Sequence, residues 1–437
     1  YFSYASSDAQ SIVTKDYPLL IGNTNSITLN ANSSEVIYYK IKNNNNGIVN
    51  YGIAYSGSNI SVKEYYISDN PSSGSINGGE TKYITLYIDN SSSTSNTVTI
   101  TTIFGYVNGG DLIVPTDYRL VTEKYERTTM LNHLKNLYSS ASKRTVTNGG
   151  LGVTLTFNVA SSENLINDRL SSSSTNADGG NIRYYGANPN NYIYFNCSDY
   201  NNQSSSTCET WRIIGVFDGK VKIMRGSQIG TYSWNSSASD VNSGFGVNEW
   251  SQADLMKLLN SGYDSESVGG SLYWNAKSGT CYNGKNNTTT ACNFTSTGLK
   301  ENTKNLITET TYYTRGHDST RIFVDAMYDK ERVSGTVITG VTPTRTLTWT
   351  GKVAIPYPSD YGYAADLSLC QKQLGSYNDA TCTANNWMKN IVTNNGGNFG
   401  WLLTPRSGFA SSAWGVHSSG YVNYYDYGAS NSYGVAP

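Results

Sequence analysis

Hydrophobic and polar positions alternate with period two in four stretches near the start of the chain: Ser26 to Leu29, Glu35 to Ile41, Lys82 to Ile88 and Thr97 to Ile103. Successive side chains of a strand point to opposite faces, so each stretch reads as a strand with one buried face. Clusters of Asn, Gly and Ser, such as Asn43 to Gly47 and Ile76 to Gly79, supply turns between them. Short alternating strands separated by turn signals predict an all-β sandwich over residues 1–115. The period then changes. Between Val121 and Tyr138, the positions Met130, Leu131, Leu134, Leu137 and Tyr138 recur at three- and four-residue steps, predicting an amphipathic helix. This helix is expected at the junction between domains, in a linker of residues 116–150 that ends in a polar loop from Ser139 to Gly150. Ser171 to Ser174 reads as a further loop.

The remainder, residues 151–437, mixes elements and predicts an α+β domain. Trp211 to Phe217 and Lys220 to Met224 flank Asp218-Gly219, the dipeptide suited to a type I′ turn, and predict a hairpin. Ser251 followed by Asp254 resembles a capping box before Leu255, Leu258 and Leu259, with Gly262 placed to stop that helix. Two more helices are expected at Leu299 to Thr311 and Thr320 to Val333. The first domain, with its short and evenly spaced strands, is expected to be of immunoglobulin-like type.

Composition narrows the function classes. A chain of 437 residues exceeds what one hydrophobic core serves. With 31 Lys plus Arg against 32 Asp plus Glu, it has no field for gathering a phosphate backbone, so nucleic acid is excluded as a general partner. No apolar run approaches the roughly 18–20 residues of a membrane span. The chain opens Tyr1-Phe2-Ser3 without Met, from which removal of a signal peptide or anchor upstream is expected. All eight Trp follow residue 210 and all six Cys follow residue 196. The cysteines fall as Cys197/Cys208, Cys281/Cys292 and Cys370/Cys382, without the Cys-x-x-Cys spacing of metal or redox motifs. Six cysteines allow 15 connectivities; local pairing closes the shortest loops and is the expected one. Such disulfides require an oxidising compartment, hence an extracellular or cell-surface location.

The segments Ile182 to Ile193, Trp211 to Phe217, Trp250 to Leu255, Trp349 to Ala354, Tyr357 to Ala364 and Trp401 to Pro405, with the tail from Val422 to Val435, resemble surface proteins of gut Firmicutes. The domains of those proteins are similar to the C-type-lectin fold as elaborated in formylglycine-generating enzymes, and the resemblance spans residues 150–437. It departs at the end: Ala436 stands where the family has Arg, and a closing apolar strand after Pro437 is expected to be missing, trimmed or supplied by another chain. The N-terminal sandwich resembles, more loosely, stalk domains of Gram-positive surface proteins. In variable proteins of this fold, exposed residues near the C-terminus bind partners. The resemblance therefore implies a ligand-binding face at Phe409, Trp414, His417, Tyr421, Asn423, Tyr424, Tyr425, Asp426, Tyr427, Asn431 and Tyr433. Tyr, Ser and Asn are also paratope residue types, rigid amphipathic rings beside adaptable hydrogen-bonding groups.

Catalytic readings are poorer. His133 falls on the polar side of the predicted helix, and Arg315-Gly316-His317-Asp318 has no nucleophile motif beside it. An oxidase of the formylglycine-generating type would need Cys370 and Cys382 as reactive thiols, with Lys372 the one cation between them; a structural disulfide accounts for the pair better. No enzymatic activity and no cofactor are expected. Calcium stays open without assigned ligands: Asn188, Asn190 and Asn191 are suitable donors, but Asn188 to Asn191 reads as a turn. The expected partners are a glycan or a host or neighbouring-cell protein, which makes the protein an adhesin. The alternative is a filament or coat subunit whose segment from Tyr1 to about Ile21 adds as a strand to a neighbouring sandwich.

Overall fold

The computed structural model describes residues 12–14, 17–43, 46–64, 73–108, 111–112, 120–124, 130–150, 153–168, 180–200, 202–236, 244–424 and 428–437. The chain forms two compact units, Tyr1–Thr128 and Thr129–Pro437.

The first unit is built from two antiparallel sheets. One runs in the order Ile12–Thr14, Tyr17–Leu29, Asn96–Asn108, Ile48–Ser56, Ser73–Ile76, with Asp111–Leu112 also on Asn96–Asn108. The other runs Leu120–Lys124, Ser33–Asn43, Thr81–Asn90, Ser61–Glu64. The alternation fixes which side chains meet. Ile84, Leu86 and Ile88 of the second sheet share one core with Leu29, Tyr51, Ile53, Ile76, Val98 and Ile100 of the first. Two buried amides tie down the ends of the sandwich: Asn90 donates to the carbonyls of Leu29, Asn30 and Thr94, and Asn43 to those of Gly47 and Ile76. All four predicted strands are present. Tyr17–Leu29 pairs with Asn96–Asn108 of its own sheet, so the segment considered for exchange with a neighbour is here part of its own sandwich as far as it is described.

The expected linker is divided differently. Leu120–Lys124 is a strand paired with Ser33–Asn43 in the first unit, and the helix begins at Met130. That helix, Met130–Ser140, belongs to the second unit: Leu134 is buried against Ala160, Leu165, Tyr184, Ile213 and Val216, with Leu131, Leu137 and Tyr138 around it. Arg144–Gly150, expected as a loop, is a strand on Val153–Ala160, in keeping with the extended preference of Thr145, Val146 and Thr147.

The second unit contains two larger sheets. The first runs Arg144–Gly150, Val153–Ala160, Leu165–Asn167, Ile182–Tyr184, Glu209–Phe217, Tyr192–Phe195, with Lys220–Arg225 on the other edge of Glu209–Phe217. The predicted hairpin is present, with Phe217 opposite Lys220 and both turn residues in the left-handed region, Asp218 at φ 47° and Gly219 at φ 71°. The second sheet runs Thr231–Ser233, Ser432–Gly434, Gly400–Pro405, Ala413–Val416, Val422–Asn423. Every residue of Gly400–Pro405 and Ala413–Val416 is buried. The tryptophans explain their confinement to this unit: Trp211, Trp234, Trp250, Trp274 and Trp401 build one core, with Trp349 at its edge, and Trp387 and Trp414 build another.

The helices are shorter than predicted. Asp254–Leu259 buries Leu255, Leu258 and Leu259 as expected, but its preceding turn is capped by Glu249, which accepts from the backbone and hydroxyl of Ser251. Leu299 to Thr311 yields the single turn Glu301–Lys304 and then the strand Thr310–Tyr313, paired with Thr348–Gly351. Thr320 to Val333 yields Val324–Asp329 followed by a wider π turn, Lys330–Ser334. Cys197–Cys208, Cys281–Cys292 and Cys370–Cys382 are disulfides, in the locally paired connectivity, and no free cysteine remains.

Candidate functional site

The C-terminal segment divides into an inner and an outer set of side chains. Trp414, Tyr424 and Asn423 are buried, with Trp414 edge-on to Tyr424 at 4.9 Å between ring centroids. They form the floor of the sheet, out of reach of a ligand at its surface. Tyr425, Asp426 and Tyr427 lie outside the described residues. His417, Tyr421, Asn431 and Tyr433 are half-buried and Phe409 is exposed.

Three of the outer residues come together with Phe399, which the sequence did not single out. The His417 ring stacks on Tyr421 at 4.5 Å and 11° and lies 4.4 Å from Phe399, which in turn is 5.2 Å from Tyr433. Tyr433 continues to the buried Trp401 at 4.7 Å, so the run of rings passes from the surface into the core. The turn that carries it is fixed at both ends. His417 N–H donates to the Tyr421 carbonyl and Gly420 N–H to the His417 carbonyl. Gly420 has φ 107°, a conformation that favours glycine, and its carbonyl accepts from the buried Tyr361 hydroxyl at 2.7 Å. Ser419 N–H donates to His417 Nδ1 at 3.1 Å, so Nδ1 is the acceptor and the neutral ring carries its proton on Nε2. Asn431 donates to the Tyr433 hydroxyl at 3.0 Å.

Phe409 sits on a separate loop, Arg406 to Ser412, held from beneath by two buried residues absent from the sequence reading. Asn248 Nδ2 donates to the carbonyls of Arg406, Phe409 and Ser412 at 2.9, 2.8 and 2.7 Å. Arg345 donates to Asn248 Oδ1 and to the Ala410 carbonyl, both at 2.8 Å. Arg406 pairs with Asp318 at 2.5 Å and lies over the rings of Phe409 and Tyr424.

The residues weighed for chemistry have other occupations. Asp318 is held by Arg406, whereas the adjacent His317 stacks on Trp414 at 6.5 Å and 15°. Burial, aided by Lys330, pushes the His317 pKa down. His133 is exposed on its helix. Lys372 pairs with Asp379 at 3.5 Å, and Cys370 and Cys382 are joined and buried. In the Asn188 to Asn191 turn, Asn191 donates to the Ile213 carbonyl and accepts from Arg212, and Asn188 accepts from the Tyr192 hydroxyl. Among the described residues, no three His, Cys, Asp or Glu side chains gather in a metal-binding group.

The densest charge in the second unit is internal. Arg183 pairs with Asp168 at 2.6 Å and with Asp360 at 2.9 Å, and Lys222 also pairs with Asp360. Nearby, Glu331 pairs with Arg332 at 2.5 Å and accepts from the backbone and hydroxyl of Ser359. Three acids and three bases balance. Burial alone would raise Asp360, but Lys222, Arg183 and Arg332 outweigh it and hold the carboxyl down at about 2. Burial wins at Glu331, whose pKa is raised. The group ties the strands of the first sheet to the segments around Glu331 and Asp360 and is structural in character.

No family model, curated protein or solved structure matches the chain.

Proposed function

We propose that this is an extracellular surface adhesin that binds a glycan or a protein without chemical turnover. In this reading the first unit is an immunoglobulin-like stalk, and the second is a C-type-lectin-like head that presents the C-terminal face. The observation that carries the reading is the run Tyr421, His417, Phe399, Tyr433. His417 and Tyr421 stack on a turn whose carbonyl is bonded by the buried Tyr361, and Phe399 and Tyr433 continue the run as tilted rings. Rings held in place before a ligand arrives lose little conformational entropy on binding. The three disulfides fit an oxidising compartment. Of the residues singled out in the sequence, the reading keeps Phe409, His417, Tyr421, Asn431 and Tyr433 as the ligand side and gives Trp414, Asn423 and Tyr424 the role of support.

The test is a glycan and protein array read with the whole chain and with a His417→Ala/Tyr421→Ala variant. Ligands captured by the wild type are expected to bind the variant at least tenfold more weakly, with an unchanged melting temperature. Equal capture by both proteins would remove the assigned face.

A further inference from the structure

Among the exposed tyrosines of the second unit, Tyr192 and Tyr194 stand out at 49% and 43% accessible. They sit at i and i+2 of the strand Tyr192–Phe195, so both project from one face, about 7 Å apart along the strand. Ile193 and Phe195, on the opposite face, pack against the tryptophan-rich core. The strand lies on Glu209–Phe217 with Tyr192 opposite Arg212 and Tyr194 opposite Thr210.

Tyr192 is held before any ligand arrives. Its hydroxyl donates to Asn188 at 2.7 Å, and its ring covers the Arg212 guanidinium at 3.8 Å. That guanidinium also lies 4.8 Å from the Trp387 ring, and its Nε donates to Asn191 at 2.5 Å. Arg212 is therefore buried as a support. Two accessible groups beside the rings, Asn188 on the Tyr192 hydroxyl and Thr210 opposite Tyr194, are uncharged.

We infer that Tyr192 and Tyr194 form a second binding face, on a different sheet from the C-terminal ring stack, and that its ligand is an uncharged oligosaccharide. Size and charge choose between occupants. A large aromatic side chain buries roughly 150–250 Å², so two half-exposed rings and their neighbours offer a few hundred Å² at most. A stable protein partner needs about 800 Å² on each side. The face is small for a protein or a second copy of this chain and suited to a few sugar rings. The flat C–H faces of sugars match the tyrosine rings, and sugar hydroxyls match the phenol, amide and Thr210 hydroxyl groups around them. Arg212, the cation beneath Tyr192, is buried between rings and committed to Asn191, so it is not offered to an acidic ligand.

The whole chain is titrated with cellohexaose, maltohexaose, chitohexaose and, as the charged arm, a hexamer of galacturonic acid, following tyrosine fluorescence and calorimetric heat. At least one neutral hexamer is expected to bind saturably. Tyr194→Ala should weaken it at least tenfold, Tyr194→Phe less than threefold, and His417→Ala/Tyr421→Ala not at all. Tyr194 is exposed, so its truncation leaves the fold intact, which the melting temperature checks. The inference is overturned if no neutral hexamer binds, if the acidic hexamer binds more tightly, or if Tyr194→Ala binds as well as the wild type. It is also overturned if sedimentation shows that Tyr194→Ala dissociates an oligomer while sugar binding is unchanged, which would assign the face to a second copy. Failure of the C-terminal face on the array leaves these outcomes unaffected, because the two faces carry separate variants.

Discussion

Arg183 and Asp360, 177 positions apart in sequence, meet as a buried ion pair with Nη1 and Oδ1 at 2.9 Å. Asp360 also receives Lys222 and the backbone N–H of Tyr357, so it neutralises two cations and caps a helix start at once. Removing its charge leaves Lys222 without its carboxylate and Arg183 with Asp168 alone, in a largely buried site. Asp360→Asn is therefore expected to cost about 3–5 kcal/mol, read as a fall in the denaturant midpoint at pH 7.

Acid should act on this unit in two opposed steps. The Asp254 carboxyl is pushed up to about 6 by burial, although the Ser236 N–H donates to it at 2.6 Å. A folded pKa above the unfolded value contributes stability that is full below about 3.9 and is lost as pH rises through 6. Asp360 is the reverse. Its folded pKa of about 2 contributes stability above about 3.9 that is lost as pH falls toward 2. Asp254→Asn should raise the melting temperature at pH 7.5, and the gain should vanish by pH 4. A constant difference across that range would mean Asp254 does not titrate there.

Gly215 lies at the irregularity in the pairing of Glu209–Phe217 with Lys220–Arg225, and on the other edge it pairs with Arg183 of Ile182–Tyr184. A Cβ there would stand 2.1 Å from the Ile182 carbonyl oxygen and 3.0 Å from Arg183 Cα, both backbone atoms that cannot swing aside. Gly215→Ala should force the strands apart at a cost of about 1–3 kcal/mol or more. Amide exchange at Arg183, which pairs with Gly215, should accelerate before that of the remote strands.

The loop carrying Phe409 has its own test. Asn248→Ala removes the amide whose two N–H donors are shared among three of the loop's carbonyls, at a cost of about 2 kcal/mol. Exchange at the Arg406 amide, bonded to the Ser412 carbonyl, should rise, while the Cys281–Cys292 hairpin keeps its protection.

The three disulfides span sequence separations of 11, 11 and 12 residues. Chain entropy for loops of this length gives about 2–3 kcal/mol each. Replacing Cys281/Cys292 and Cys370/Cys382 by Ala, singly and together, should give costs that add within about 0.5 kcal/mol, since the pairs sit in different cores.

What could be read in the sequence was local. Glu35 to Ile41 and Lys82 to Ile88 alternate because one face of each must be dry, and Asp218-Gly219 declares its turn by backbone chemistry alone. The helix at Met130 was visible in its spacing, but which unit it covers depends on Ala160, Leu165 and Ile213, far along the chain. The buried ionic group was not legible. Asp168, Arg183, Lys222, Glu331 and Asp360 are scattered singly, and each looks like an ordinary solvated charge until the fold gathers them. The C-terminal tyrosines mislead for a related reason. Tyr424 lines a core and Tyr421 a surface within four residues, and composition cannot tell the two apart. Phe399 was missed because it stands outside the Tyr-rich segment and joins it only through ring contacts.

The strand Ser432–Gly434 enters between Thr231–Ser233 and Gly400–Pro405, inside the sheet. A polypeptide delivered to its compartment from the N-terminus cannot close that sheet until residue 434 has emerged. Until then a strand-wide slot stands open beside Trp401, which packs on Tyr433. Closure of this sheet is thereby coupled to complete translation: a chain terminated before residue 432 leaves two unpaired strand edges in the second unit, a template for pairing with other chains.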